Sequence, residues 1–270
     1  MKETDLCRNA QIGFCYCVVD EDMKRKLSVV LSLVCLFSLS SCKVDTDVID
    51  KEVIIAVKYG SANEIACEQY IEYTKATYNS SSDVVLAVEN GKADYGILDE
   101  FELNSYISNQ RKIKETEQCE YSIDYCAYFS AENEELQNLF NDAIARLDSN
   151  GVLDEITNDY LKGKSFLNSA EDNENGTLTM LCDPSFENRV YTDDNGDVEG
   201  LDVDIAREIC NYLGYDLEIV TVEFDELFIK LQDGEGDFIM SACEVNEEIE
   251  EYYLLSDTYF TLNYYLIEKE

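Results

Sequence analysis

Two stretches of this chain repeat the order strand, helix, strand, helix, strand, and that order restricts the fold more than any other feature of the sequence. The first stretch covers residues 53–98, with its first helix predicted over residues 62–75, and the second covers residues 177–241. In both, a helix ends at the glycine of a Gly-x-x-Asp motif, at residues 91–94 and 234–237, and a strand follows. Such series form largely parallel sheets covered by helices, so the sequence predicts an α/β protein.

The segment between the two stretches continues the chain with a strand and two helices. Residues 120–129 alternate like a strand, and residues 133–148 and 152–162 have helical periodicity. The polar residues 169–176 predict a linker, and the chain closes on a tyrosine-rich run at residues 259–267. The residues after position 50 therefore suffice for two small sheets with their covering helices.

The N-terminal region has the features of an export signal. A basic cluster at residues 24–26 precedes an apolar run, residues 27–39, which is shorter than the roughly 18 residues that a membrane-spanning helix needs. The run leads into Leu-Ser-Ser-Cys, which resembles a bacterial lipobox ending at Cys42. Translation is expected to start at Met23. The alternative for the apolar run is an ordinary apolar helix.

This interpretation divides the N-terminus into segments with different fates. Residues 1–41 are predicted to be an N-terminal extension and lipoprotein signal peptide, and residues 42–50 a short tether. Cys42 is the predicted lipidation site. The protein is therefore expected outside the cytoplasm, anchored to the bacterial cell membrane as a lipoprotein.

Charge and composition exclude several classes of function. With 58 acidic and 20 basic residues the formal charge is −38, which excludes nucleic acid as a direct partner because phosphate neutralisation needs a basic surface. The chain contains no histidine, which excludes imidazole catalysis and His-ligated metal sites. The sequence predicts no cofactor and no metal.

Eleven cysteines do not form a disulfide framework once they are sorted by position. Four lie in the predicted signal region and Cys42 would carry lipid, which leaves six. These six are spread evenly without a Cys-x-x-Cys pair, so buried thiols are the favoured interpretation. Cys119 and Cys126 are the pair that the extracellular setting singles out as a candidate disulfide.

The ordered series of motifs in both stretches resembles family 3 of the extracellular solute-binding proteins, the amino-acid receptors of ABC importers. Residues 177–269 resemble the first half of such a receptor and residues 53–164 resemble the second half. The motifs in the first group are Asp183-Pro184-Ser185-Phe186, Asn195-Gly196, Gly200-Leu201-Asp202-Val203-Asp204, Phe224-Asp225-x-Leu227, Gly234-x-x-Asp237 and Leu255-Ser256-Asp257-x-Tyr259; those in the second are Val57-Lys58-x-Gly60-Ser61, Gly91-Lys92-x-Asp94 and Leu147-x-x-x-Gly151-x-Leu153. The resemblance implies a two-lobe periplasmic binding protein-like fold of type II.

The two halves stand in the opposite order to that of the family, which predicts a circular permutation. Residues 51–120 would form lobe 2, and residues 121–270 the hinge strands and lobe 1, with the linker 169–176 joining the former C-terminal helix to the former first strand. Permutation is tolerated where chain ends are exposed and near each other. The rival explanation is a fragment of a tandem array.

The resemblance also implies where a ligand would bind. In the family, residues at strand and helix ends of both lobes contact the solute. Asp99 stands where the family holds a ligand's ammonium group, and Phe186 with Phe224 would sandwich the ligand body. The full set of candidate ligand-binding residues is Lys58, Ser61, Ala62 and Asp99 in one lobe and Asp183, Phe186, Arg189, Phe224, Ala242 and Glu244 in the other.

Two departures from the family change the expected ligand. The threonine and arginine that clamp a ligand carboxylate in the family correspond here to Glu244 and Ile249. Glu244 and Asp99, facing a closed cleft from opposite lobes, would suit a ligand with amines and no carboxylate, such as a polyamine. Alternatively the site is degenerate, or Arg189 restores carboxylate binding from another direction.

The sequence therefore predicts a binding protein without enzymatic activity. It would be a monomeric, lipid-anchored receptor that captures a small amine-bearing solute, an amino acid or an organic cation, and delivers it to an ABC permease in the membrane. One alternative is a degenerate surface lipoprotein that keeps the fold as a sensor or interaction scaffold without transport. Another is an enzyme that uses Asp99 and Glu244 in acid-base catalysis.

Overall fold

The computed structural model describes residues 52–166, 173–246 and 251–270. Several predictions concern residues outside these ranges: the signal peptide, lipidation at Cys42, the tether, the first half of the linker and the departure at Ile249. Within the described ranges, no helix is long and apolar enough to cross a membrane.

The first sheet has five strands in the order β2-β1-β3-β13-β4. The strands are β1 (Ile54–Lys58), β2 (Thr74–Tyr78), β3 (Tyr95–Asp99), β4 (Ile113–Tyr125) and β13 (Phe260–Lys269). The first three run parallel, whereas β13 is antiparallel to both of its neighbours. This sheet and the helices Ser81–Glu89 and Glu100–Ser108 are called lobe 2 below.

The second sheet also has five strands, in the order β10-β6-β11-β5-β12. They are β5 (Tyr128–Ser130), β6 (Thr177–Cys182), β10 (Asp216–Thr221), β11 (Phe238–Ile239) and β12 (Tyr253–Leu255). The strands β10, β6 and β11 are parallel, and β5 inserts between β11 and β12 antiparallel to both. This sheet and its helices are called lobe 1.

Helices pack on both sheets, and a small hairpin completes lobe 1. The hairpin sheet consists of β7 (Ser185–Phe186), β8 (Val190–Thr192) and β9 (Val198–Glu199). The helices are Ala62–Ala66, Ser81–Glu89, Glu100–Ser108, Glu134–Ser149, Val152–Leu161, Leu201–Leu213 and Leu227–Gln232, with 3₁₀ turns at Cys67–Gln69 and Phe224–Glu226. The arrangement confirms the predicted α/β fold with sheets flanked by helices.

The apolar pattern of the sequence explains why both sheets are buried. The helix Ser81–Glu89 begins at Ser80, whose Oγ accepts the Asp83 N–H at 3.1 Å, and it buries Val84 and Val88 on lobe 2. In lobe 1, Phe140 of the helix Glu134–Ser149 packs on Phe238 with ring centroids 4.7 Å apart. Each such aromatic side chain contributes about 2 kcal/mol of hydrophobic stabilisation.

Residues that are distant in sequence complete each sheet. Strand β13, from the second predicted half, lies in the lobe 2 sheet between β3 and β4, while β5, from the first half, lies in the lobe 1 sheet. The helix Val152–Leu161 packs on Leu201–Leu213, where the Tyr160 hydroxyl donates to Asp204 Oδ2 at 2.6 Å. Each of the two sheets therefore contains strands from both predicted halves of the sequence.

The first and last strands lie close together. Ile55 of β1 and Glu268 of β13 pair with the same residue, Tyr95 of β3, from opposite sides. With neighbouring strands about 4.8 Å apart, these two residues are separated by about 10 Å.

Some element boundaries differ from those expected. The helix predicted over 62–75 ends at Ala66, because the following residues turn so that Tyr70 and Tyr73 stack and Tyr73 stacks on Tyr95. The strand predicted over 120–129 begins earlier, at Ile113, and gives way to a separate strand at Tyr128. The helix Glu100–Ser108 was not predicted.

Candidate ligand-binding cleft

The parallel strands of both sheets end at a cleft between the lobes. In lobe 2, β1 ends at Lys58 and β3 ends at Asp99. In lobe 1, β6 leads into Asp183 and β11 leads into Ser241 and Ala242. Carboxyl ends of parallel strands are the usual position of ligand sites in α/β proteins.

A cavity of about 580 Å³ lies between the lobes. Lobe 2 contributes Ser80, Ser81, Ser82, Asp99, Glu102 and Tyr106, and lobe 1 contributes Phe186, Glu187, Arg189 and Ala242. Tyr125 of β4 and Leu262 of β13 also line it. A volume of this size is typical of sites for small molecules.

Four of the ten candidate ligand residues line this cavity: Asp99, Phe186, Arg189 and Ala242. The other six are not among its lining residues: Lys58, Ser61, Ala62, Asp183, Phe224 and Glu244. A second cavity, of about 610 Å³, is lined by Thr261 and Asn263 of β13. None of the ten candidate residues is among those that line this second cavity.

Asp99 serves as the N-cap of the helix Glu100–Ser108. Its Oδ1 accepts the Glu102 N–H at 2.8 Å, and the Glu102 carboxylate in turn accepts the Asp99 N–H at 3.4 Å. Burial and then the charge of Glu102 raise the pKa of Asp99 to about 7, although backbone N–H groups and the charge of Lys58 lower it. Asp99 therefore changes its charge near neutral pH.

Arg189 is buried at the lobe 1 side of the cleft and is paired with Asp202. Its Nε and Nη2 lie 2.8 and 2.7 Å from Asp202 Oδ1, and the two side chains are 7% and 0% exposed. The guanidinium lies over Tyr125 at 3.8 Å and over Phe260 at 4.8 Å from the ring centroids. Its Nη1 is the one buried side-chain nitrogen or oxygen of the described residues that has no hydrogen-bond partner.

The aromatic pair of lobe 1 is held together by Asp183. One carboxylate oxygen accepts the Ser185 N–H at 3.0 Å and the other accepts the Phe224 N–H at 3.0 Å. The rings of Phe186 and Phe224 meet edge to face with centroids 5.5 Å apart. The two rings therefore contact each other directly, without the space between them that a sandwiched ligand requires.

The segment after β11 is fixed by internal hydrogen bonds. The Ser241 hydroxyl accepts the Asp183 N–H at 2.8 Å, and the Ala242 N–H donates to Asp202 Oδ2 at 2.6 Å. Ala242 has φ +51°, in the left-handed region that L-residues rarely adopt. Asp202 thus links Arg189 to this segment.

Glu244 lies beside the strands that cross between the lobes. It forms an isolated antiparallel bridge with Tyr125, and its carbonyl oxygen accepts from the Tyr128 hydroxyl. Burial, followed by nearby charges that include Asp99 and Glu244, raises the pKa of Tyr264. Both carboxylates therefore act on one tyrosine of β13, as expected for groups near the same cleft.

The remaining lobe 2 candidates surround the end of β1. The Ser61 hydroxyl donates to the Lys58 carbonyl oxygen at 2.8 Å, and Ala62 packs against the main core. Lys58 is near enough to Asp99 for its charge to lower the pKa of that carboxyl. Of Lys58, Ser61 and Ala62, Lys58 is thus the residue whose charge acts on the pKa of the cleft residue Asp99.

Two cleft carboxylates were not predicted from the sequence. Glu102 contacts the Ser81 hydroxyl and accepts from Asn63 Nδ2 at 3.2 Å, while Glu187 lines the cavity from the lobe 1 hairpin. The pattern Asp99-x-x-Glu102 is a capping-box signature that would have indicated the helix and its position at the cleft.

The six cysteines of the described ranges are all buried thiols. Cys119 and Cys126 cannot pair, because Cys119 lies within the extended strand β4 and Cys126 directly follows it. Seven extended residues span about 23 Å, far beyond the roughly 7 Å limit for a disulfide. The expectation that singled out this pair is therefore wrong.

No group of three or more histidine, cysteine or acidic side chains in the described part of the chain is positioned to hold a metal ion. The polar groups of the cleft are carboxylates, hydroxyls and one guanidinium. Such groups can bind a solute through hydrogen bonds and charge.

Residues 178–270 match the bacterial extracellular solute-binding proteins, family 3. Over 68 residues the chain is 37% identical to the membrane-bound lytic murein transglycosylase F of Desulfosudis oleivorans, covering 25% of this chain and 15% of the relative. Over 98 residues it is 24% identical to the arginine-binding extracellular protein ArtP of Bacillus subtilis, covering 36% of this chain and 38% of the relative. The chain thus spans well under half the length of these two relatives.

Similar solved structures include the arginine-bound form of domain 1 from TmArgBP. It is 31% identical, with 35% of this chain and 81% of that chain covered and a TM-score of 0.31. The ancestral cationic amino acid solute-binding protein AncCDT-1 is 27% identical, with 37% of each chain covered and a TM-score of 0.28.

Proposed function

We propose, from the match of residues 178–270 to the bacterial extracellular solute-binding proteins of family 3, that this chain is an extracytoplasmic receptor for a small amine-bearing solute. The observation that carries the proposal is the cavity between the lobes, to which both lobes contribute polar side chains. A ligand in this position would contact both lobes at once and hold them together. No chemical step is required.

The charge of the cleft favours a cation. Three carboxylates line the cavity, those of Asp99, Glu102 and Glu187, whereas the charge of Arg189 is offset by Asp202. An ammonium group at Asp99 would receive a hydrogen-bond acceptor and a nearby negative charge. The relative ArtP, named as arginine-binding, is consistent with a ligand of this charge.

Arg189 could determine whether the ligand also carries a carboxylate. Its Nη1 has no hydrogen-bond partner although it is buried at the cavity wall, and an unsatisfied donor of this kind costs about 1–3 kcal/mol. An amino acid with its ammonium group at Asp99 and its carboxylate at Nη1 would satisfy both groups. A polyamine would use the carboxylates alone and leave Nη1 without an acceptor.

The chain is proposed to be a circular permutant of a two-lobe receptor of type II. The support is that residues of both halves complete both sheets, and that Ile55 and Glu268 flank the same strand about 10 Å apart. A connection between these two strands would restore the family order. Lobe boundaries near residue 120 and a linker at 169–176 belong to the same proposal.

Anchoring and transport complete the proposed function. Lipidation of Cys42 after removal of a signal peptide would hold the monomeric receptor on the outer face of the cell membrane. There it would deliver its solute to an ABC permease. The support is the basic cluster, the short apolar run and the Leu-Ser-Ser-Cys sequence, together with the match of residues 178–270 to an extracellular family.

A scaffold that has lost transport is the second candidate, and one observation favours it. Groups expected to hold a ligand are already engaged: Asp183 binds two backbone N–H groups, the Ala242 N–H binds Asp202, and Phe186 contacts Phe224. A cleft whose groups satisfy one another has less need of a solute.

The two candidates are separated by calorimetric titration of the full chain with arginine, lysine, putrescine and spermidine. The proposed receptor binds at least one of them, and Asp99→Asn weakens that binding about tenfold or more. The control is Asp142→Asn, an exposed carboxylate on the helix Glu134–Ser149, which should leave binding unchanged. Absence of binding by the whole panel would favour the scaffold.

A further inference from the structure

Two buried cysteines lie on backbone segments that are hydrogen-bonded to each other: Cys126, which directly follows strand β4, and Cys243, which lies in residues 241–244, called the cleft segment below. The Cys126 N–H donates to the Cys243 carbonyl oxygen at 3.2 Å, and the Val245 N–H donates to the Asp124 carbonyl oxygen at 2.9 Å. These two bonds flank the antiparallel bridge between Tyr125 and Glu244. In such a ladder the next directly opposed pair is Cys126 and Cys243.

This register brings the two Cα atoms within reach of a disulfide. Directly opposed residues of an antiparallel ladder have Cα atoms about 4.5–5.5 Å apart, inside the range of about 4.4–6.8 Å found for disulfides. The two side chains point to the same face of the ladder and belong to one buried cluster, which also contains Tyr128 and Ile239. Cys126 is 0% exposed and Cys243 is 4% exposed.

We infer that Cys126 and Cys243 form a cross-strand disulfide in the oxidised protein, and that this bond fixes the cleft segment Ser241–Glu244 to the strand that crosses between the lobes. The inference relies on the extracytoplasmic location proposed above, because disulfides persist in oxidising compartments. It does not depend on which solute the cleft binds.

The reaction needs an oxidant of the disulfide class. Two thiols lose two protons and two electrons and form one S–S bond, while a disulfide such as oxidised glutathione accepts them and becomes two thiols. Burial raises the pKa of the Cys243 thiol, so little reactive thiolate is present in the folded protein. The bond therefore forms during folding and afterwards exchanges slowly.

A disulfide between Cys126 and Cys243 would lie next to residues of the cleft. Cys243 lies between Ala242, which lines the cavity, and Glu244, while Cys126 directly follows Tyr125, on which Arg189 stacks. In the thiol form two backbone hydrogen bonds hold these segments together. The disulfide adds a covalent link that would keep the cleft segment in place when the lobes separate.

The test is a disulfide map of the full chain after refolding from the reduced, denatured state in a glutathione redox buffer. Thiols are blocked with iodoacetamide, the bonds are reduced, and the newly exposed thiols are labelled with N-ethylmaleimide before peptide mass spectrometry. The inference expects the second label on Cys126 and Cys243 together. Iodoacetamide on both, or linkage of either to another cysteine, would overturn it.

Thermal unfolding with and without a phosphine reductant supplies the second measurement. The wild-type midpoint should fall by about 5–10 °C on reduction. That difference should vanish in Cys243→Ala and persist in the matched control Cys182→Ala, another buried thiol at a strand end. A reductant effect of equal size in both variants would contradict the assignment. Because neither measurement uses a solute, failure here would leave the proposed receptor function standing.

Discussion

Replacing Asp99 by asparagine tests whether this cleft carboxylate is destabilising when it is ionised. Asparagine has nearly the same shape and can still accept the Glu102 N–H, so the helix cap is retained while the charge is removed. In the folded protein the pKa of Asp99 is about 7, against an ordinary value of 3.8. Between these two pH values the folded state holds a proton that the unfolded state has lost, so wild-type stability falls as pH rises.

The size of the effect follows from the separation of the two pKa values. About three pKa units correspond to about 4 kcal/mol in total, of which about 2 kcal/mol develops between pH 5.5 and pH 8.5. Over that range the free energy of unfolding of Asp99→Asn, measured by urea denaturation, should rise relative to wild type by this amount. Asp142→Asn should run parallel to wild type. A constant difference between Asp99→Asn and wild type across the range would refute the assignment.

Three further predictions concern the same region. Binding of an amine should weaken about tenfold from pH 8 to pH 6 in calorimetric titrations, because an ammonium group needs ionised Asp99; affinity independent of pH would place the amine elsewhere. Arg189→Met should lower the free energy of unfolding by about 3–5 kcal/mol by leaving Asp202 buried and unpaired, and adding Asp202→Asn should recover much of the loss; additive losses would contradict the pairing. Gly200→Ala should lower the melting midpoint of the protein more than Gly234→Ala. Both glycines have positive φ, but only at position 200 would the new Cβ lie 2.1 Å from the Arg189 carbonyl oxygen. Equal melting midpoints of the two variants would contradict this prediction.

The sequence predicted the elements whose residues interact mainly with their neighbours along the chain. The helices Glu134–Ser149 and Val152–Leu161 lie within one residue of their expected ranges, 133–148 and 152–162, because their periodicity specifies them locally. The helix expected over 62–75 failed because the tyrosines that follow it stack against lobe 2. Here tertiary contacts outweighed helix propensity.

Single residues of the candidate site were predictable, as Asp99 and Arg189 show, whereas Glu102, Glu187 and the contacts among the site residues were not. Asp99 could be assigned to a strand end from the Gly-x-x-Asp pattern before it. Arg189 pairs with Asp202 and stacks on Tyr125 and Phe260. These contacts depend on how the hairpin, the first turn of the helix Leu201–Leu213 and the strands β4 and β13 meet in space. The opposition of Cys126 and Cys243 likewise depends on strand register, which spacing along the chain does not reveal.

The interior position of β13 has a consequence for the order in which the chain can fold. This strand fills the place between β3 and β4, and its pairing with β4 joins residues about 145 positions apart, such as Asn263 with Ser122. Contacts of such long range slow folding, because a large loop must close before they form. A chain that leaves the ribosome from its N-terminus cannot complete the lobe 2 sheet until residues 260–269 have been synthesised. Strands β3 and β4 therefore stay without the partner that lies between them until nearly all of the described residues have left the ribosome.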